Sequence, residues 1–121
     1  MKIPLKVNIN IFYKVLLPLM DKFPPIRGLM KHEMEVLSEI MYQNYMNRNI
    51  EDFNKRQIIV FSTESRKLMA KRLGKKEGSF NDYLARLRKK NVITKDNKLV
   101  SFLNIIPGDN YEFIINFKIH E

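Results

Sequence analysis

Few side chains in this sequence have the type and spacing for covalent or metal chemistry. His32 and His120 lie too far apart for a metal-ligand spacing, and His32-Glu33 lacks the second histidine of a metalloprotease helix. Glu33, Glu35 and Glu39 fall on one helical stretch, where acids at these separations form a solvated face, and His32 reads as an exposed first-turn residue. There is no GxGxxG, no phosphate loop and no glycine-flanked nucleophilic serine. The absence of cysteine removes disulfides, thiolate metal sites and cysteine nucleophiles together. The expectation is a protein without catalysis, bound metal or cofactor.

The chemistry that remains is ionic. Residues 62–98 hold twelve Lys and Arg against four acids, a net +8 out of a formal +9 for all 121 residues. Such a concentration attracts phosphate-rich partners or an acidic membrane surface. A membrane span is not expected, because the apolar run 11–20 is broken by Lys14 and Pro18 and is too short to cross a bilayer. No small-residue cleavage site follows that run, so the chain is expected to be soluble, untargeted and, with no cysteine, cytoplasmic.

The length and a hydrophobic content of 45% suit one domain spanning 1–121 with one modest core. Leu5, Val7, Ile9 and Ile11 alternate with polar residues, which predicts an N-terminal strand. A short helix interrupted by Pro18 follows, then a loop marked by Pro24, Pro25 and Gly28, so that 1–30 form an extension. Met34, Leu37, Ile40, Met41 and Tyr45 predict a core helix over 31–47, and the β-branched run 58–61 predicts a short buried strand. Ser62 or Thr63 can cap a helix with Leu68, Met69 and Leu73 inside, ended by Gly74. Ser79 with Asp82 resembles a capping pair for a helix over 80–90. Beyond it a β region is expected: residues 92–94, a turn at 95–98, a strand over 99–105, a turn at 107–110, and a last strand in which Tyr111, Phe113, Ile115, Phe117 and Ile119 alternate with polar positions.

The run Leu68-Met69-Ala70-Lys71-Arg72-Leu73-Gly74, followed by Phe80, Leu84, Leu87 and Val92-Ile93, resembles the core of winged helix-turn-helix DNA-binding domains. The likeness covers residues 31–105. It implies an α+β fold, here elaborated by the N-terminal strand and an extended C-terminal hairpin including 106–121. It also implies binding to double-stranded DNA, with the helix 80–90 in the major groove and a hairpin wing on the backbone. Turning 100° per residue, Phe80, Leu84 and Leu87 point inward and Asp82, Ala85, Arg86 and Lys89 outward, flanked by Asn81 and Lys90. Arg86 is the candidate for guanine, with Asn81 and Lys89 as further base contacts. Lys67, Lys71, Arg72, Lys75, Lys76 and Lys90 suit phosphate, as do Lys95 and Lys98 at the expected wing tip. Asp82 is unfavourable beside phosphate and is explained as a capping residue; Tyr83 reads as core.

The Lys/Asn/Ile-rich style is similar to that of small bacteriophage proteins in composition alone. A regulator of transcription and a replication accessory protein both fit. The rival reading is a module that holds a protein partner, such as a polymerase subunit or a virion component. The N-terminal and last strands are expected to share a sheet, within one chain in a monomer or between chains in a homodimer.

Overall fold

The computed structural model describes residues 2–120 and is all-helical. Five helices follow one another: α1 (Ile9–Leu19), α2 (Lys31–Met46), α3 (Phe53–Val60), α4 (Thr63–Arg72) and α5 (Glu77–Lys89). A short 3-10 turn, Ser101–Leu103, comes after them. The expected α+β class is therefore corrected. Among the described residues the β structure is a single antiparallel bridge between Ile93 and Leu99.

α2 is the central element and packs on α1, α3, α4 and α5. Val36, Leu37, Ile40 and Met41 recur at helical spacing and are fully buried. They meet Tyr13 and Leu17 of α1, Val60 of α3, Met69 and Ala70 of α4, and Phe80, Leu84 and Leu87 of α5 in one core.

The strands predicted at the N-terminus, over 58–61, over 99–105 and over 111–119 are absent among the described residues; of 99–105 only the bridge at Leu99 is β, and the 3-10 turn Ser101–Leu103 takes the rest of its centre. At the N-terminus Ile9, Phe12, Tyr13, Leu16, Leu17 and Met20 also fit a helical period, and a helix satisfies its own backbone where a strand needs a neighbour. Helix therefore starts at Ile9, burying Tyr13, Leu16 and Leu17, and residues 2–8 make no strand pairing. Over 58–61, Asp52 caps a helix by accepting the Lys55 N–H at 2.9 Å. That helix faces the core with Arg56, Gln57 and Val60, leaving Ile58 and Ile59 outward despite their β propensity. The alternating segment 111–119 makes no ladder hydrogen bonds, so the expected shared sheet does not form.

The one β-bridge is closed by its own backbone, Thr94 N–H to Lys98 O at 2.8 Å and Val100 N–H to Val92 O at 3.2 Å, and side chains stand where a further strand would pair. Gln57 Oε1 accepts the Leu99 N–H at 3.0 Å, the bond a neighbouring strand would otherwise take. The Gln57 amide donates to Asn44 Oδ1, which also receives Arg56 Nε, both at 2.8 Å. Arg56 further donates to the Ile50 carbonyl and to Asn104 Oδ1, and Asn44 donates to the same Asn104 oxygen at 2.9 Å. This buried network welds α2 and α3 to the segment beyond α5, and it disperses a buried guanidinium charge over neutral acceptors.

Candidate nucleic-acid interface

The basic segment folds as two helices joined by a four-residue turn, 73–76. Ser62 caps α4, its hydroxyl accepting the Ser65 N–H at 3.2 Å. At the other end Gly74 takes φ 66°, the Gly74 N–H donates to Lys71 O, and the Lys75 N–H donates to Ala70 O. This pattern closes a helix with a left-handed residue, which glycine adopts without a side-chain clash. α5 ends likewise: Asn91 at φ 63° donates to Arg88 O and Val92 to Leu87 O, with Leu87 and Val92 in contact with the core.

The faces of α5 are as expected, with Phe80, Leu84 and Leu87 buried and Asn81, Asp82, Arg86 and Lys89 exposed. Two details are corrected. α5 begins at Glu77 after Lys76, so Ser79 and Asp82 lie inside the helix and cap nothing. On α4, Met69 and Ala70 carry the packing while Leu68 stands 49% exposed.

The acids of α2 depart furthest from the sequence expectation. Glu33 and Glu39, expected on a solvated face, are 1% and 3% exposed. Glu39 receives Arg72 Nε at 2.5 Å, and the Arg72 guanidinium lies 5.1 Å from the Tyr42 ring. Glu33 receives Lys90 Nζ at 2.5 Å and the Met30 N–H at 2.7 Å, while Lys90 also donates to Gly28 O. Burial by itself would raise the Glu33 carboxyl, but hydrogen bonds from Lys90 and Met30 and the Lys90 charge outweigh it and hold the group below the ordinary carboxylate range. Each glutamate thus pins the C-terminal end of one helix of the pair, where the dipole already favours a cation. Arg72 and Lys90, expected at phosphate, are engaged in this work. The signal was the pattern itself, since Glu33 and Glu39 flank the apolar residues of α2.

The other cations divide in two. Lys98 pairs with Asp96 at 3.2 Å, Arg88 donates to Asn97 Oδ1 at 2.7 Å, and Arg66 donates to Asn81 Oδ1 at 3.4 Å and to Thr63 at 3.3 Å. The Arg66 contact orients the Asn81 amide. Hydrogen bonds from Thr94 and Lys98 keep the Asp96 carboxyl below its usual range. Lys67, Lys71, Lys75, Lys76, Arg86, Lys89 and Lys95 have no carboxylate partner among the described residues. Tyr83, half-buried beside α2, organises two of them: the Arg86 guanidinium lies 4.9 Å from its ring centroid and Lys75 Nζ 5.0 Å. Lys75 also approaches His32 Nδ1 at 3.4 Å.

The expected wing is reduced to a tight turn. Thr94 N–H donates to Lys98 O at 2.8 Å, Asn97 has φ 60°, and Lys95 projects from the tip. Arg88 ties this turn to α5 through Asn97. Among the described residues no group of three or more His, Asp or Glu is placed to hold a metal ion, and no helix is long and apolar enough to cross a membrane. No protein-family model, curated protein or solved structure matches the chain.

Proposed function

We propose that this protein binds double-stranded DNA without catalysis, laying the outer face of α5 in the major groove. The observation that supports this most directly is the separation of charge. Glu33 and Glu39 are buried beneath the helix pair, and seven cations bound to neither a carboxylate nor an amide among the described residues remain on and around its outer side. Arg86 and Asn81, each oriented by a neighbour, are the base readers, with Lys89 beside them. Lys67, Lys71, Lys75, Lys76 and Lys95 take phosphates, which need charge more than geometry. Asp82, exposed on the reading face, suits the amino group of a cytosine and repels phosphate, so it contributes selectivity and not affinity. Such a protein acts in the cytoplasm, the host's if it is phage-encoded, as a transcription regulator or replication accessory factor.

The test is DNA affinity against salt. Five phosphate contacts correspond to a log–log slope of about −4.5 and a loss of roughly five-hundredfold between about 50 and 200 mM salt. A second reading, a module holding a protein partner, draws on Ile58, Ile59 and Leu68, apolar side chains left exposed on α3 and α4. Negligible DNA affinity at low salt would decide for it.

A further inference from the structure

Six large apolar side chains among the described residues are more than two-thirds exposed, and five of them, Ile3, Leu5, Ile114, Phe117 and Ile119, belong to the two terminal segments. The C-terminal segment is the more ordered in pattern. Tyr111, Phe113 and Ile115 are 36–40% exposed, whereas Phe117 and Ile119 reach 85% and 87%. Tyr111 meets the Phe12 ring of α1 edge-on at 5.3 Å, so one face of the segment begins against the protein body and then continues past it uncovered.

We infer that residues 111–119 form an antiparallel two-stranded ribbon with the same residues of a second copy of this chain. Register favours this pairing. A two-fold axis through Ile115 sets Tyr111 opposite Ile119, Phe113 opposite Phe117, and Ile115 opposite its own copy. On the other face it sets Glu112 opposite Lys118, twice, and Ile114 opposite Asn116. Every apolar position of one face then meets an apolar one, and both charges of the segment meet their opposites. Shifting the axis by one residue brings Glu112 opposite Asn116 or His120 and leaves Lys118 opposite Asn110 or Ile114, so neither shift pairs the two charges. Registers centred between residues put opposite faces together.

A two-stranded ribbon alone is marginal in water, and this one is not alone. Its apolar face carries the Tyr111 rings already seated on Phe12, so each protomer's α1 supplies a wall. With aromatic side chains covering about 150–250 Å² each, two Phe117, two Ile119 and the paired backbone give an interface of about 1,200 Å², the low end for specific pairs. The Lys2–Glu112 ion pair within one chain does not compete strongly, since both side chains are more than half exposed.

Light scattering on the full chain from low micromolar to half-millimolar concentration tests the inference, with circular dichroism to check folding. The wild type should become dimeric within that range. Glu112→Lys and Lys118→Glu should each weaken the dimer by about tenfold or more, because the axis repeats every like-charge clash. The double variant E112K/K118E should restore it. A wild type that stays monomeric throughout, single variants that dimerise like the wild type, or a double variant no better than the singles would each overturn the ribbon. None of these readouts involves DNA, so the nucleic-acid reading can fail while the dimer stands.

Discussion

Arg86 illustrates how one side chain is prepared for its work. Stacked on Tyr83, its guanidinium is held on the exposed side of α5 instead of sweeping a large volume, which lowers the entropy cost of binding. Arg86→Ala is expected to reduce discrimination between a preferred site and random DNA by about 1–3 kcal/mol, measured by competition binding. Equal weakening on both DNAs would make Arg86 a phosphate contact. Glu33 is the residue through which stability responds to pH. Its folded carboxyl titrates below its unfolded one, so its contribution is complete above the unfolded value of about 4.3 and disappears as pH falls through the folded value. Glu33→Gln should cost about 1–3 kcal/mol near neutrality, since Lys90 retains partial access to water. Urea titrations at a series of pH values should show the gap to wild type closing below about pH 4. A gap that persists into acid would assign the effect to packing.

At the scale of elements, α4 and α5 are positioned from beneath by α2, through a shared apolar core and two buried carboxylates. Leu84 lies at the centre of that contact and is 2% exposed. Leu84→Ala should lower stability by about 2–5 kcal/mol, read from thermal or denaturant melts, and an unchanged melting temperature would mean that α5 presents its other face. The turn between the helices carries Lys75 and Lys76. Their joint replacement by alanine should weaken binding to all DNA sequences alike and flatten the salt slope by about one unit for each phosphate that is no longer neutralised. An unaltered slope would place the turn away from the duplex.

For the whole molecule, the folded body is residues 9–105, closed by the hydrogen bond from the Tyr13 hydroxyl to Ile105 O at 2.6 Å. Burial raises the Tyr13 pKa, so this donor stays protonated. Beyond it, the described residues 106–120 add little to the core apart from the Tyr111–Phe12 contact. A chain ending at Pro107 should be destabilised by no more than about 1.5 kcal/mol, by denaturant titration, and remain fully helical. A larger effect would show that the tail is part of the core.

The sequence by itself determined what rests on local chemistry. A cap at Ser62 or Thr63, the left-handed Gly74, the inward set Phe80, Leu84 and Leu87, and the concentration of cations over 62–98 all follow from residue type and spacing within one turn or one helix. Only the tertiary structure decided which alternating segments obtain a partner. An apolar period of two names the face of a strand but supplies no neighbour, so the N-terminal segment became helix from Ile9 onward with no strand before it, and 111–119 stayed without a ladder partner within the chain. The same holds for the charges: α2's glutamates, separated by more than thirty residues from Arg72 and more than fifty from Lys90, acquire their partners through folding. Which cations brace the protein and which remain on its surface is therefore a property of the packed molecule, because an ion pair across elements depends on distances that local sequence does not set.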